Sequence, residues 1–171
     1  MRTVEIKVYS FSELNEEAKE KAINNLLDIN VDHSWWELTY EDAETIGLKL
    51  SGFELDRNRH ATGEFTISAS EVAQNIFNNH GGDCKTYKSA QEFMNEWQPI
   101  FNDYMDEDGE NFESSESEDK MNDLESEFLQ SLLEDYSIML QNECDYLMSE
   151  AAIIETIEAN QYEFTEDGNL H

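Results

Sequence analysis

Residues 3 to 9 alternate, with Val4, Ile6 and Val8 on one side and Glu5, Lys7 and Tyr9 on the other, the pattern of a half-buried strand. The period then changes. Asn15 is placed as an N-cap, Glu16 and Glu17 sit in the favourable first turn, and Leu14, Ala18, Ala22 and Leu26 recur every fourth residue. A second helix is predicted from near Ser34, carrying Trp35, Trp36, Tyr40 and Ala43 towards Gly47. Ile46, Leu48 and Leu50 alternate, and the apolar parity switches to Phe53 and Leu55 across Gly52, which predicts a hairpin strand with a bulge. Asn58 to Gly63 turns the chain, and Phe65 and Ile67 return it. Ser68 or Ser70 caps a third helix with Val72, Ala73, Ile76 and Phe77 on one stripe, ended by Gly81-Gly82.

From Ser89 the apolar positions are Ala90, Phe93, Met94 and Trp97, again helical, with Pro99 expected to break or kink the run. Residues 106 to 119 hold one apolar residue, Phe112, and read as a mobile loop. Beyond Met121 an apolar stripe of Leu129, Leu133, Tyr136, Leu140, Cys144, Leu147, Ala151 and Ile154 advances by three or four. It is one long helix, or two if Ser149 caps a fresh one. Tyr162 and Phe164, followed by a Glu166-Asp167-Gly168 turn, predict a last strand or extended tail.

These elements sum to an α+β fold. A small antiparallel sheet, formed by the N-terminal strand and central hairpin with or without the C-terminal strand, is packed by several helices and followed by a long acidic C-terminal helix or helix pair. The chain of 171 residues fits a single domain, 1–171, divided into an α+β core at 1–88 and a strongly acidic, mainly helical half at 89–171. The apolar inventory, 39% hydrophobic and 11% aromatic, separates it from disordered acidic chains, which are poor in aromatics.

Charge changes the picture more than composition does. There are 40 Asp and Glu against 10 Lys and Arg, a net −30. Direct nucleic-acid binding and an anionic membrane surface are thereby disfavoured, since both need cations. No apolar run reaches the roughly 20 residues of a membrane span, and the N-terminus lacks a signal peptide's apolar core. A soluble cytoplasmic protein is expected. Residues 1–88 carry 16 acids and 9 bases, whereas 89–171 carry 24 acids and Lys120 alone. Because like charges repel in a folded chain, this asymmetry points to a functional surface across residues 103 to 158. The residues chosen as partner-binding are Asp106, Glu107, Asp108, Glu116, Glu118, Asp119, Asp123, Glu127, Glu134 and Asp135.

Active-site chemistry finds little support. Placing Gly109 at position six of a calcium loop puts Tyr104 at position one and Ser115 at twelve, where carboxylates are required. His80, Asp83 and Cys84 are close in sequence, but a nucleophilic thiol needs an aligned base that proximity along a loop does not supply. His33, His60, His80 and His171 lack metal-ligand spacing, and the two cysteines form no CxxC. No catalytic residue, metal or cofactor is expected, and the chain is read as a non-enzyme. Two clusters bear on partners: Trp35-Trp36 with Tyr40, either core or recognition platform, and Arg57, Arg59 and His60 at the hairpin tip, either a solvated turn or a contact to an acidic patch.

An acidic surface can imitate nucleic acid. Duplex DNA carries about one charge per 1.7 Å of axis. Met121 to Glu158 as one helix would be about 57 Å long. Its ten acids would then reach only about a third of that density. The whole acidic half, by contrast, matches about eleven base pairs of phosphate. The expected partner is a basic nucleic-acid-binding protein, and the long stripe leaves a homodimer open. The rival class is an acidic antitoxin or protein–protein inhibitor that holds its partner by aromatic and apolar anchors, with the acids steering.

The run Val8-Tyr9-Ser10-Phe11-Ser12-Glu13-Leu14-Asn15-Glu16-Glu17-Ala18-Lys19, the Trp35-Trp36 pair, Ile46-Gly47-Leu48 with Gly52-Phe53-Glu54-Leu55-Asp56-Arg57, and the closing Tyr162 to Gly168 resemble small proteins encoded by phages and prophages. In size and charge, though not in motif, the chain is similar to DNA-mimicking antirestriction proteins. The resemblance implies a phage anti-defence inhibitor of a host nuclease, restriction enzyme or CRISPR-type complex. It carries over no functional residue.

Overall fold

The computed structural model describes residues 6–104 and 115–171. Its α+β character agrees with the sequence. The elements are β1 (Tyr9–Ser10), α1 (Glu16–Asn25), α2 (Glu37–Ile46), β2 (Leu48–Glu54), β3 (His60–Phe65), α3 (Ala69–Asn79), α4 (Lys85–Tyr104), α5 (Ser115–Leu147), α6 (Glu150–Ala159) and β4 (Glu163–Phe164). The chain forms two compact units, one from its two ends (1–35 and 142–171) and one from 36–141. The units therefore do not follow the change in charge at residue 88.

In the first unit β1 pairs antiparallel with β4, Tyr9 opposite Phe164 and Ser10 opposite Glu163. The predicted strand is shorter than its alternation implies: 6–8 are not strand, and 1–5 lie outside the described residues. Asn15 caps α1, its side chain accepting from the Ala18 amide at 2.9 Å. Ala18 and Ala22 of α1 and Ile153 and Ile157 of α6 share a core with Phe11, Leu14 and Phe164. Asn30 pins the loop after α1 by donating to the Leu147 carbonyl at 3.0 Å and accepting from the Thr156 hydroxyl at 2.7 Å. Ser149 does cap a new helix, with its hydroxyl accepting from the Ala152 amide. The stripe is thus carried by two helices, and a single rod from 121 to 158 does not form.

In the second unit β2 and β3 make their own two-stranded sheet, apart from β1–β4. The single sheet predicted from the N-terminal strand and hairpin is therefore two sheets. A two-residue β1 satisfies its hydrogen bonds on β4, and the hairpin is complete with its own turn. The register shifts between Leu50 and Gly52, leaving Ser51 as the bulge that the parity switch marked. Gly47 ends α2 at φ 91°, a left-handed conformation that glycine adopts without a Cβ penalty. Ser68 and Glu71 form a capping box at α3.

Pro99 does not interrupt α4. A proline removes one intrahelical bond and crowds the carbonyl four residues back. Phe93, Trp97 and Phe101 nevertheless continue one aromatic ladder past it, with Trp97 on Phe101 at 4.5 Å between centroids. The middle of α5 is buried on most sides: Phe128, Leu132, Leu133, Tyr136 and Leu140 are all core. Phe65 of β3 and Phe93 of α4 both meet Phe128, at 5.6 and 4.4 Å. No described helix is long and apolar enough to cross a membrane.

Candidate functional site

The acids chosen from sequence separate once α5 is built. At about 100° per residue, Glu116, Asp123, Glu127 and Glu134 fall within an arc of about 40°. All four are exposed, opposite the buried stripe through Phe128, Leu132 and Leu140. Asp119 flanks this arc, and Glu118 points to the other side of the helix, also exposed. The helix from Ser115 overturns part of the predicted 106–119 loop: residues 115–119 are helical, with acids in the first turn, where the helix dipole favours them. Asp106, Glu107 and Asp108 lie outside the described residues.

Two acids in the arc are compensated from within the second unit. Lys120, the single base of the acidic half, reaches back one turn to Glu116 at 2.8 Å and holds its carboxyl below the usual range. Arg59 at the hairpin tip donates to Glu134 at 2.6 Å and, through Nε, to the Ser137 hydroxyl at 3.2 Å. The hairpin cluster thus serves the chain's own acidic patch. Glu118, Asp119, Asp123 and Glu127 form no ion pair with any described residue.

Asp135 is not on the face at all. It is 8% exposed and accepts from the Ser89 hydroxyl at 3.2 Å, which in turn accepts from Ser131 at 2.9 Å. Burial raises its pKa, against the lowering effects of Ser89 and Lys85. The signal was in the spacing: Asp135 is seven residues from Phe128 and so faces the same way. Glu92 and Glu96 of α4 were missed by the sequence reading because they lie outside the densest acidic run. Together with Glu127 they line a groove between α4 and α5.

A second polar cluster has the order of a catalytic relay. His80 Nδ1 and Thr86 Oγ1 share a 2.7 Å hydrogen bond, His80 Nε2 lies 3.5 Å from Asp42 Oδ1, and Tyr136 donates to Asp42 Oδ2 at 2.8 Å. Thr86 is 4% exposed, so no substrate reaches its hydroxyl. The cluster instead ties α2, the end of α3, α4 and α5 together. His80 is turned towards Thr86, while Cys84 is exposed in the following turn. Among the described residues no group of three or more His, Cys, Asp or Glu could hold a metal ion.

Trp36 is half-buried and meets Phe53 edge-on at 5.6 Å, as Tyr40 does at 6.3 Å. The pair's second aromatic is therefore engaged within its own unit, whereas Leu38, two residues on, is 78% exposed. Comparison with protein-family models, curated proteins and solved structures finds no match to this chain.

Proposed function

We propose that this chain is a non-enzymatic inhibitor that offers the exposed arc of α5, with the adjoining edge of α4, to the basic nucleic-acid-binding groove of a host defence protein. One observation carries the reading: Asp119, Asp123 and Glu127 stand exposed and without a described cation beside Glu116 and Glu134, on a helix whose opposite side is locked into a core. A helix fixed in this way needs no backbone ordering on binding, so the charge it carries acts on encounter rate and complementarity. From Glu116 to Glu134 the arc spans about 27 Å, the length of roughly eight base pairs. Four carboxylates in that length are far sparser than phosphates, so α4 and the acids outside the described residues must add to the imitation. A phage origin, which the sequence resemblance implies, fits an inhibitor of restriction or CRISPR-type defence.

The test is the plating efficiency of a phage on hosts carrying defined restriction or CRISPR systems, with and without the expressed chain. Expression should raise plating on at least one host, and reversal of Glu116, Asp119, Asp123 and Glu127 to Lys should abolish the gain. Duplex DNA should compete with the chain for the target. Full protection by the reversed variant would remove the arc from the mechanism.

The exposed Leu38 favours a second reading, in which an apolar anchor holds the partner and the acids only steer. Leu38→Asp would then abolish inhibition, and binding would tolerate salt.

A further inference from the structure

The groove between α4 and α5 has a volume of about 210 Å³, several times the roughly 30 Å³ that a water molecule occupies. Its apolar lining is Phe93, Phe128 and Leu124. The two phenyl rings stack at 4.4 Å and 6° and are both core residues, so the floor is fixed by packing. Above it, Glu92 and Glu96 stand one turn apart on α4, about 5–6 Å between Cβ atoms. Glu127 stands on α5, and all three are exposed. None of the three pairs with a described cation. A floor of Phe93, Phe128 and Leu124 with Ser89 and Ser131 beside them, under carboxylates from two helices, is complementary to a side chain with an apolar stem and a cationic, hydrogen-bonding end.

We propose that this groove receives an arginine side chain of the partner, its methylenes on the Phe93–Phe128–Leu124 floor and its guanidinium between Glu127 and the Glu92–Glu96 pair. The proposal rests on the partner being basic and adds which cation it presents and where. Arginine fits better than lysine for two reasons. Its planar fork has five donors and can meet carboxylates on both walls at once, and it sheds water more readily than a compact ammonium. Three like charges around one groove also repel, and a bound cation relieves that repulsion.

The experiment titrates the full chain with an acetylated, amidated (Ala-Arg)₄ peptide and its (Ala-Lys)₄ counterpart, followed by calorimetry and amide chemical shifts. The arginine peptide should bind several-fold more tightly than the lysine peptide and shift amides of α4 and α5 around Phe93 and Phe128. Joint substitution of Glu92→Gln, Glu96→Gln and Glu127→Gln should weaken it about tenfold. The control Glu143→Gln, Glu150→Gln and Glu155→Gln removes the same charge elsewhere and should weaken it twofold or less. Thermal melts confirm that both variants fold. Equal weakening by the two triples, or equal affinity for both peptides, would overturn the groove while leaving the inhibitor reading intact. Groove-specific arginine binding by a chain that protects no phage would do the reverse.

Discussion

Arg59 on the hairpin and Glu134 on α5 lie 2.6 Å apart, and this contact joins the chain's small basic cluster to its acidic face. Both side chains keep substantial exposure, so the pair contributes modestly and is screened by salt. Arg59→Gln should cost about 1 kcal/mol or less at low ionic strength, read as a small fall in melting temperature that shrinks by 0.5 M salt. The same change frees Glu134 and so should strengthen binding to a basic partner. A variant that binds the partner more weakly would make Arg59 a contact in its own right.

Asp135 gives the clearest pH dependence. Burial raises its pKa above the ordinary 3.8, so the native state holds the proton more tightly than the unfolded chain. Stability therefore falls as pH rises from about 3.8 through the raised value, and the whole penalty is present near neutrality. Asp135→Asn keeps an oxygen for Ser89 but cannot ionise. It should melt higher than the parent at pH 7, and the difference should vanish by about pH 3.5. A lower melting temperature at pH 7 would mean that attraction to Lys85 outweighs the cost of burial.

Much of this was legible in sequence, and the misses share a cause. Asn15, Ser68 and Ser149 were readable as caps because their partners are three residues away, and the bulge at Ser51 showed as a parity switch. Pairing partners were not readable: nothing local tells β1 to choose β4 over the hairpin, since both have suitable edges. Nor does an acidic residue declare its side. Counting charge along the chain put Asp135 on the surface, where counting angle from Phe128 puts it inside. Glu92 and Glu96 belong to the groove only because α4 lies beside α5, which no spacing within either helix reveals.

Asp167 titrates in the opposite sense. It accepts from the Thr165 hydroxyl at 2.6 Å and pairs with Lys21 at 2.9 Å, which lowers its pKa to about 2. The stability it adds is complete above about pH 4 and is lost as pH falls towards 2. The turn it fixes seats Gly168, at φ 81°, where a Cβ would collide with the Ala18 carbonyl of α1. Asp167→Asn should therefore lower the melting temperature clearly at pH 6 and much less near pH 2. Equal loss at both pH values would assign the effect to turn geometry rather than charge.

Self-repulsion leads to a prediction about the whole chain. With 40 Asp and Glu against 10 Lys and Arg, and four Lys or Arg ion pairs among the described residues, most carboxylates cannot have a cation of their own. Two of those pairs, Lys19–Glu16 and Lys120–Glu116, are local and open to solvent on at least one side, so they contribute little. Screening weakens repulsion between charges separated by more than the Debye length, about 10 Å at 0.1 M salt. Raising sodium chloride from 0.02 to 0.3 M should then raise the melting temperature, because the repulsion relieved outweighs the few attractions lost. Potassium chloride should act equally, since the effect is screening rather than a specific ion. Magnesium chloride should match it at about a third of the concentration, because a divalent salt has about three times the ionic strength of sodium chloride at equal molarity. A melting temperature that falls with salt would mean that the acids are held by attraction, and the reading of Asp123 and Glu127 as uncompensated charges on α5 would lose its physical basis.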